Sequence, residues 1–222
     1  MKAIKFKILT LCMLIILGGE AFAQKPLEKG FTYLFDGKNL DAWQGNTKEY
    51  VLEDQCIVMK PTQEMGGNLY TKQTFDNFIL RFEFLLTPGA NNGLGIRHDI
   101  VSNDKGYSGM ELQILDNEDP QYKDLKAYQY HGSVYGIAPA KRGFLKKPGE
   151  WNTEEVIANG DEITVKVNGE VILRTKLTEA LKGKSADSYM PAVLNKSGHI
   201  AFLGHGTVVK FRNIRVKSLK SK

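Results

Sequence analysis

The chain has 222 residues, 42% of them hydrophobic, and carries 30 lysines and arginines against 25 acidic residues. The positive excess is not gathered into a basic stripe interleaved with aromatics, which argues against nucleic acid as a partner. Of the two cysteines, Cys12 and Cys56, the first lies in an N-terminal leader. No pair remains for an internal disulfide, a cysteine metal cluster is excluded, and a hydrophobic core must hold the fold.

Residues 1 to 23 read as a secretory signal peptide. Lys2, Lys5 and Lys7 form a basic start, ILTLCMLIIL an apolar run, and Ala21-Phe22-Ala23 a small-x-small cleavage site. The apolar run is shorter than the roughly 20 residues of a membrane span, and Cys12 is not at the cleavage point where a lipoprotein cysteine stands. An uncleaved anchor is the alternative. The mature chain expected from this, 24 to 222, is a single domain of 199 residues with 27 basic and 24 acidic side chains. Its expected location is secreted or periplasmic, without membrane contact after cleavage.

Strand signals then follow one another almost to the end. FTYLF (31–35) runs into the turn pair Asp36-Gly37, and YVLEDQCIVMK (50–60) reads as two short strands about Asp54-Gln55. In FILRFEFLLT (78–87), Phe78, Leu80, Phe82 and Phe84 share one face and Arg81 and Glu83 the other. NGLGIRH and GMELQILD, within 92–116, are two more strands joined by a loop with Asn103, Asp104 and Gly106. Strict alternation places Leu94 and Ile96 opposite Arg97, and Met110, Leu112 and Ile114 opposite Glu111 and Gln113. Residues 117–149 are loop-like. WNTEEVIANG then enters a hairpin whose Asn168-Gly169 is a type I′ turn pair. TEALKG (178–183) suggests one helical turn capped by Thr178, and HIAFLGH and VVKFRNIRVK close the chain as strands. The pattern predicts an all-β, two-sheet antiparallel jelly-roll sandwich, with a barrel as the alternative.

The chemistry-bearing candidates sit on these strands and loops. His131 lies in a Tyr- and Gly-rich loop, the kind of segment that carries binding groups. His205 stands between Gly204 and Gly206, where a ligand can approach closely. His98 and His199 read as structural. No His-Glu-x-x-His, nucleophile elbow or phosphate-cradling loop is present. Trp43 and Trp151 read first as core anchors, although Trp151-Asn152 at a strand start also suits a sugar ring. A retaining glucanase carries Glu-x-Asp-x-x-Glu on one strand; here Glu111 is followed by Gln113 and Asp116, which disfavours a two-carboxylate mechanism.

LFDGKNLDAW (34–43), GLGIR (93–97), GMELQILD (109–116), HGSVYG (131–136), GEWN (149–152) and GHIAFLGHGTVVKFRNIRVK (198–217) occur in that order. In this the chain resembles the 3-keto-disaccharide hydrolase family over nearly all of its expected mature length. The resemblance implies a concanavalin A-like jelly roll acting on a glycoside or disaccharide whose sugar bears a ketone at carbon 3. It departs at GIRH, where many relatives are expected to carry an apolar or aromatic residue before the arginine, and at Leu203-Gly204, where relatives often carry Gln-Asp before the histidine. Such a ketone acidifies the carbon-2 proton and makes the glycosidic oxygen a β leaving group. A base, an enolate stabiliser and an acid then suffice, giving a lyase or, once water adds, a hydrolase. On this reading Arg97 holds the keto oxygen, Glu111 or His131 is the base and His205 the acid. Gln113, Tyr135, Trp151 and Asn152 orient the sugar. No cofactor is required, with a divalent metal as the alternative enolate stabiliser. The competing readings are a non-catalytic, lectin-like carbohydrate-binding module and a conventional glycosidase. Oligomeric state is not encoded in any of these signals.

Overall fold

A computed structural model describes residues 27–62, 67–100, 108–184 and 192–220. The expected leader, residues 1–23, lies outside them, as do Asn103, Asp104 and Gly106. The strands are β1 (Thr32–Phe35), β2 (Trp43–Gly45), β3 (Tyr50–Glu53), β4 (Cys56–Met59), β5 (Asn68–Phe75), β6 (Phe78–Leu86) and β7 (Asn91–His98). They continue as β8 (Met110–Leu115), β9 (Trp151–Asn159), β10 (Glu162–Val167), β11 (Glu170–Lys176), β12 (Gly198–Gly204) and β13 (Val209–Ser218). One sheet runs β11-β10-β9-β6-β13-β4-β3 with β1 also paired to β13, and the other runs β2-β5-β12-β7-β8. The strand pairings are antiparallel, as the alternating pattern predicts. Among the described residues, no helix is long and apolar enough to cross a membrane.

The core lies between the sheets. Phe78, Leu80, Phe82, Phe84 and Leu86 of β6 are buried, as are Met110, Leu112 and Ile114 of β8 facing them from the other layer. Phe202 of β12 stacks on Phe211 of β13 with ring centroids 3.8 Å apart, and Phe82 stands 6.0 Å from Phe202. This aromatic cluster joins the two layers, each ring contributing about 1.5–3 kcal/mol by burial. Trp43 is the anchor its composition suggests: it is buried, stacks on Phe202, and its Nε1 donates to the Leu34 carbonyl at 2.8 Å.

Two local expectations are corrected. The helical turn, α1, spans Leu177–Ala180 with Lys176 as its N-cap, and the Thr178 hydroxyl instead donates to Asp161 Oδ2. The larger correction concerns Arg97. β7 pairs with β12 through His98↔His199 and Gly95↔Ala201, so Ile96 and Arg97 together oppose Ile200. This is a β-bulge, which adds a residue and re-aims the side chains beyond it. Arg97 adopts φ +52°, and its side chain leaves the face that alternation assigns to it. Nε donates to the Asp76 carbonyl at 2.8 Å, one terminal nitrogen to the Gly160 carbonyl at 2.7 Å and the other to Asn77 Oδ1 at 3.2 Å. The guanidinium thereby ties the second sheet to the β5–β6 and β9–β10 turns of the sandwich, at the wall of a cavity of about 490 Å³ that Leu177, Leu194 and Lys196 also line. Arg97 is held by the scaffold, with Nε and both terminal nitrogens engaged.

A second tie closes the β2–β3 region. The Glu49 carboxylate accepts from the Thr62 amide and hydroxyl at 2.7 and 2.6 Å and from Asn46 Nδ2 at 2.7 Å. Burial alone would raise its pKa; these bonds outweigh burial and hold it at about 2 rather than the ordinary 4.5.

Two outcomes follow from these ties. Replacing Arg97 by Met strands the Asp76 and Gly160 carbonyls, while Asn77 Oδ1 keeps the Gly160 amide, and should cost about 2–4 kcal/mol in urea unfolding, with Arg97→Lys recovering only part because an ammonium cannot span the same fork of acceptors. Because the folded-state pKa of Glu49 is depressed, its stabilisation is present above pH 4.5 and is lost as pH falls toward 2. Glu49→Gln should therefore flatten the acid limb of a thermal-stability profile over that interval and lower the plateau above it.

Candidate active site

The five-stranded sheet has a polar outer face. Met110, Leu112 and Ile114 point inward, so alternation turns Glu111 and Gln113 outward on β8, as the sequence predicts. Across the ladder, Gln113 pairs with Gly93 and Glu111 with Gly95. A Cβ at Gly93 would lie 2.1 Å from Glu111 Oε1, so the carboxylate lies flat over that glycine and depends on its missing side chain. On the next strands Tyr70, Ala201 and Leu203 form a small apolar cluster separate from the main core.

His205 reaches this face from the turn after β12. The turn is held by Thr207, whose hydroxyl accepts from the Asn91 amide at 2.7 Å and donates to the Asn91 carbonyl at 2.6 Å. His205 Nε2 then stands 3.3 Å from Glu111 Oε1. The carboxylate side chain is 2% exposed and the imidazole 20%, so the histidine roofs the acid and is the member of the pair that meets solvent. Such a pair can take a proton from a bound molecule and pass it on.

The edge beyond β8 is extended by residues 132–135. The Tyr135 amide donates to the Glu111 carbonyl at 3.0 Å, and the Gln113 amide to the Ser133 carbonyl at 3.0 Å. Tyr135 therefore stands beside Glu111 at the rim, with its hydroxyl accepting from Gln129 Nε2 at 2.8 Å. Asp116 accepts from the Gly89 amide at 3.0 Å and fixes that turn.

The structure thus brings Glu111, His205, Gln113 and Tyr135 together and places four other candidates elsewhere. Arg97 is spent on the scaffold. His131 is buried between the sheets: its ring stacks on Phe84 with centroids 5.0 Å apart, Nδ1 accepts from the Leu115 amide at 3.4 Å, and Nε2 lies 3.2 Å from Glu154 Oε2. It therefore cannot serve as the base on the Glu111 face. Trp151 lies on the opposite sheet beneath the Arg212 guanidinium, 3.8 Å from its ring centroid. Asn152 is wholly buried there, its Oδ1 accepting from the Lys146 amide and Asn168 Nδ2, both at 2.9 Å. Neither is placed to orient a sugar at Glu111. Among the described residues no group of three or more His, Cys, Asp or Glu side chains converges as a metal cage. Glu111 and His205 offer two ligand atoms to any ion that binds there.

The sequence reading missed His98 and Tyr70 as members of this face. The available signal was the alternate glycines Gly93 and Gly95, which in a strand mark close approach of something to the backbone.

Comparison with known proteins agrees with the motif order. Residues 30–217 match the model of the 3-keto-alpha-glucoside-1,2-lyase-like domain. A curated 3-keto-disaccharide hydrolase of Bacteroides thetaiotaomicron is 30% identical over 237 aligned positions, covering 88% of this chain and 81% of that protein. The crystal structure of a candidate glycosyl hydrolase from Parabacteroides distasonis superposes with a TM-score of 0.73 at 21% identity, covering 86% of this chain and 94% of that one. Another from the same organism gives 0.72 at 28% identity, covering 85% and 99%. The architecture is shared, and the match spans most of the sequence: the chain belongs to the 3-keto-alpha-glucoside-1,2-lyase-like domain family.

Proposed function

We propose that the protein cleaves the glycosidic bond of 3-keto-glycosides, including 3-keto-disaccharides, on the outer face of the five-stranded sheet. The observation that carries the reading is the buried Glu111 carboxylate with His205 at 3.3 Å above it, in a chain related to a 3-keto-disaccharide hydrolase. Glu111 removes the proton on carbon 2, and the C–H electron pair enters the C2–C3 bond as the ketone becomes an enolate. When the enolate collapses, the carbon-3 carbonyl re-forms, a C1–C2 double bond appears, and the C1–oxygen bond breaks. His205, or the now protonated Glu111 through it, delivers a proton to the departing oxygen. Addition of water across C1–C2 completes net hydrolysis, and release before that step makes the same enzyme a lyase. Gln113 and Tyr135 flank the carboxylate and supply hydrogen bonds to the sugar. The leader at residues 1–23 directs this activity to the periplasm or beyond.

A lectin-like module needs aromatic and amide contacts but has little use for a carboxylate–imidazole pair held in proton-transfer range, and this favours catalysis over binding alone. The test is incubation with a 3-keto-glucoside and its unoxidised parent, each with and without a chelator. Aglycone release from the ketone alone is expected, comparable release from the parent would indicate ordinary glycoside hydrolysis, and binding without release would indicate the module. The chelator arm shows whether an ion shares the enolate charge. Glu111→Gln should lower turnover by about 10²–10⁴-fold and abolish solvent-deuterium exchange at carbon 2, with the unfolding midpoint little changed.

A further inference from the structure

With Arg97 withdrawn into the scaffold, the role of donor to the enolate oxygen passes to another residue, and the β-bulge that removes Arg97 puts His98 in its place. The imidazole lies over the outer face of the same strand: a Cβ at Gly95 would come within 2.9 Å of His98 Cδ2, and one at Gly109 within 2.6 Å. Two glycines therefore clear its seat. Gly95 is also the ladder partner of Glu111, whose carboxylate lies over Gly93. Imidazole and carboxylate thus occupy alternate positions of one strand face, a separation on the order of 7 Å. A base within hydrogen-bond reach of carbon 2 and a donor within reach of the carbon-3 oxygen, about 3 Å each, span on the order of 8 Å across those two sugar atoms. The spacing suits one keto-sugar ring.

The state of the ring points the same way. His98 is fully buried, and neither nitrogen makes a hydrogen bond among the described residues. Its neighbours are the Tyr70 ring, with centroids 6.3 Å away, the paired His199 and the adjacent Asp99. Burial pushes its pKa down to about 4, against smaller upward pulls from a backbone contact with Asp99 and from the Asp99 charge. At neutral pH it is therefore an uncharged imidazole that, beyond the contact with the Asp99 backbone, completes no hydrogen bond of full geometry among the described residues. A buried polar group left in that state costs about 1–3 kcal/mol, and such groups are exceptional in folded proteins.

Resting on the proposed 3-keto-glycoside reading, we propose that His98 is a catalytic residue that donates a neutral N–H hydrogen bond to the carbon-3 oxygen of the substrate. The bond tightens as the ketone becomes an enolate, no proton is transferred, and the imidazole remains uncharged through the cycle. An uncharged donor is matched to an oxygen that must return to a ketone when the leaving group departs.

The experiment compares wild type, His98→Leu and His98→Gln on a 3-keto-glucoside, following aglycone release, carbon-2 deuterium exchange and thermal unfolding. His98→Leu removes an unsatisfied buried polar ring, so it should unfold at the wild-type temperature or above. It should nevertheless lose about 10²–10³-fold in kcat and in the exchange rate, with an unaltered pH profile. His98→Gln, which retains an N–H donor, should recover part of both rates. Turnover by His98→Leu within threefold of an active wild type, or a loss that His98→Gln does not recover, overturns the assignment while leaving the proposed function standing. A wild type that releases no aglycone from the ketone overturns the functional reading and this assignment with it.

Discussion

The bulge at Ile96–Arg97 and the guanidinium it redirects are the constraint on which the working face of the molecule depends. A regular strand would carry Arg97 outward beside Glu111. One extra residue opposite Ile200 sends the arginine instead to the Asp76 and Gly160 carbonyls. A guanidinium is suited to this because its donors diverge in a fixed plane and remain charged when buried. The tie fixes where the end of β7 sits relative to the β9–β10 hairpin turn of the other sheet and the β5–β6 turn that links the two sheets. It also reverses the inside–outside order of the last two residues of the strand, which is how an imidazole reaches the outer face.

That outer face is built by subtraction as much as by placement. Gly93, Gly95 and Gly109 leave room where any side chain would strike Glu111 or His98. Two titratable groups can then lie low on the sheet, shielded from water, where electrostatic interactions with a bound sugar are stronger than at an open surface. His205 closes over the carboxylate from a turn pinned to β7 through Thr207. Residues 132–135 extend the sheet past β8, so the carboxylate sits inside the sheet edge, with Tyr135 as its rim.

The pair His131–Glu154 contributes without touching this face. Both side chains are buried, with Phe84 stacked on the imidazole. Burying a carboxylate is strongly unfavourable, and Glu154 meets that cost with an imidazole 3.2 Å away rather than with a hydrogen bond of full geometry. The contact holds residue 131 against β9, while the following residues pair with β8 beside Glu111. The polar pair inside the sandwich thus anchors the segment that borders the site.

The sequence by itself determined the architecture and half of the site. Period-two alternation in 78–87 and 109–116, the Asn168-Gly169 turn and the Asp54-Gln55 break define strands with one apolar face each, which must be buried against another layer of sheet. Glu111 and Gln113 faced outward in the structure because β8 is regular, and His205 met them because the glycines around it permit close approach. Only the tertiary structure decided the fates of Arg97, His98, His131, Trp151 and Asn152. A bulge inverts alternation without leaving a mark in residue type. Which sheet a strand or loop joins depends on pairings between segments far apart in the chain, and no local pattern encodes those contacts.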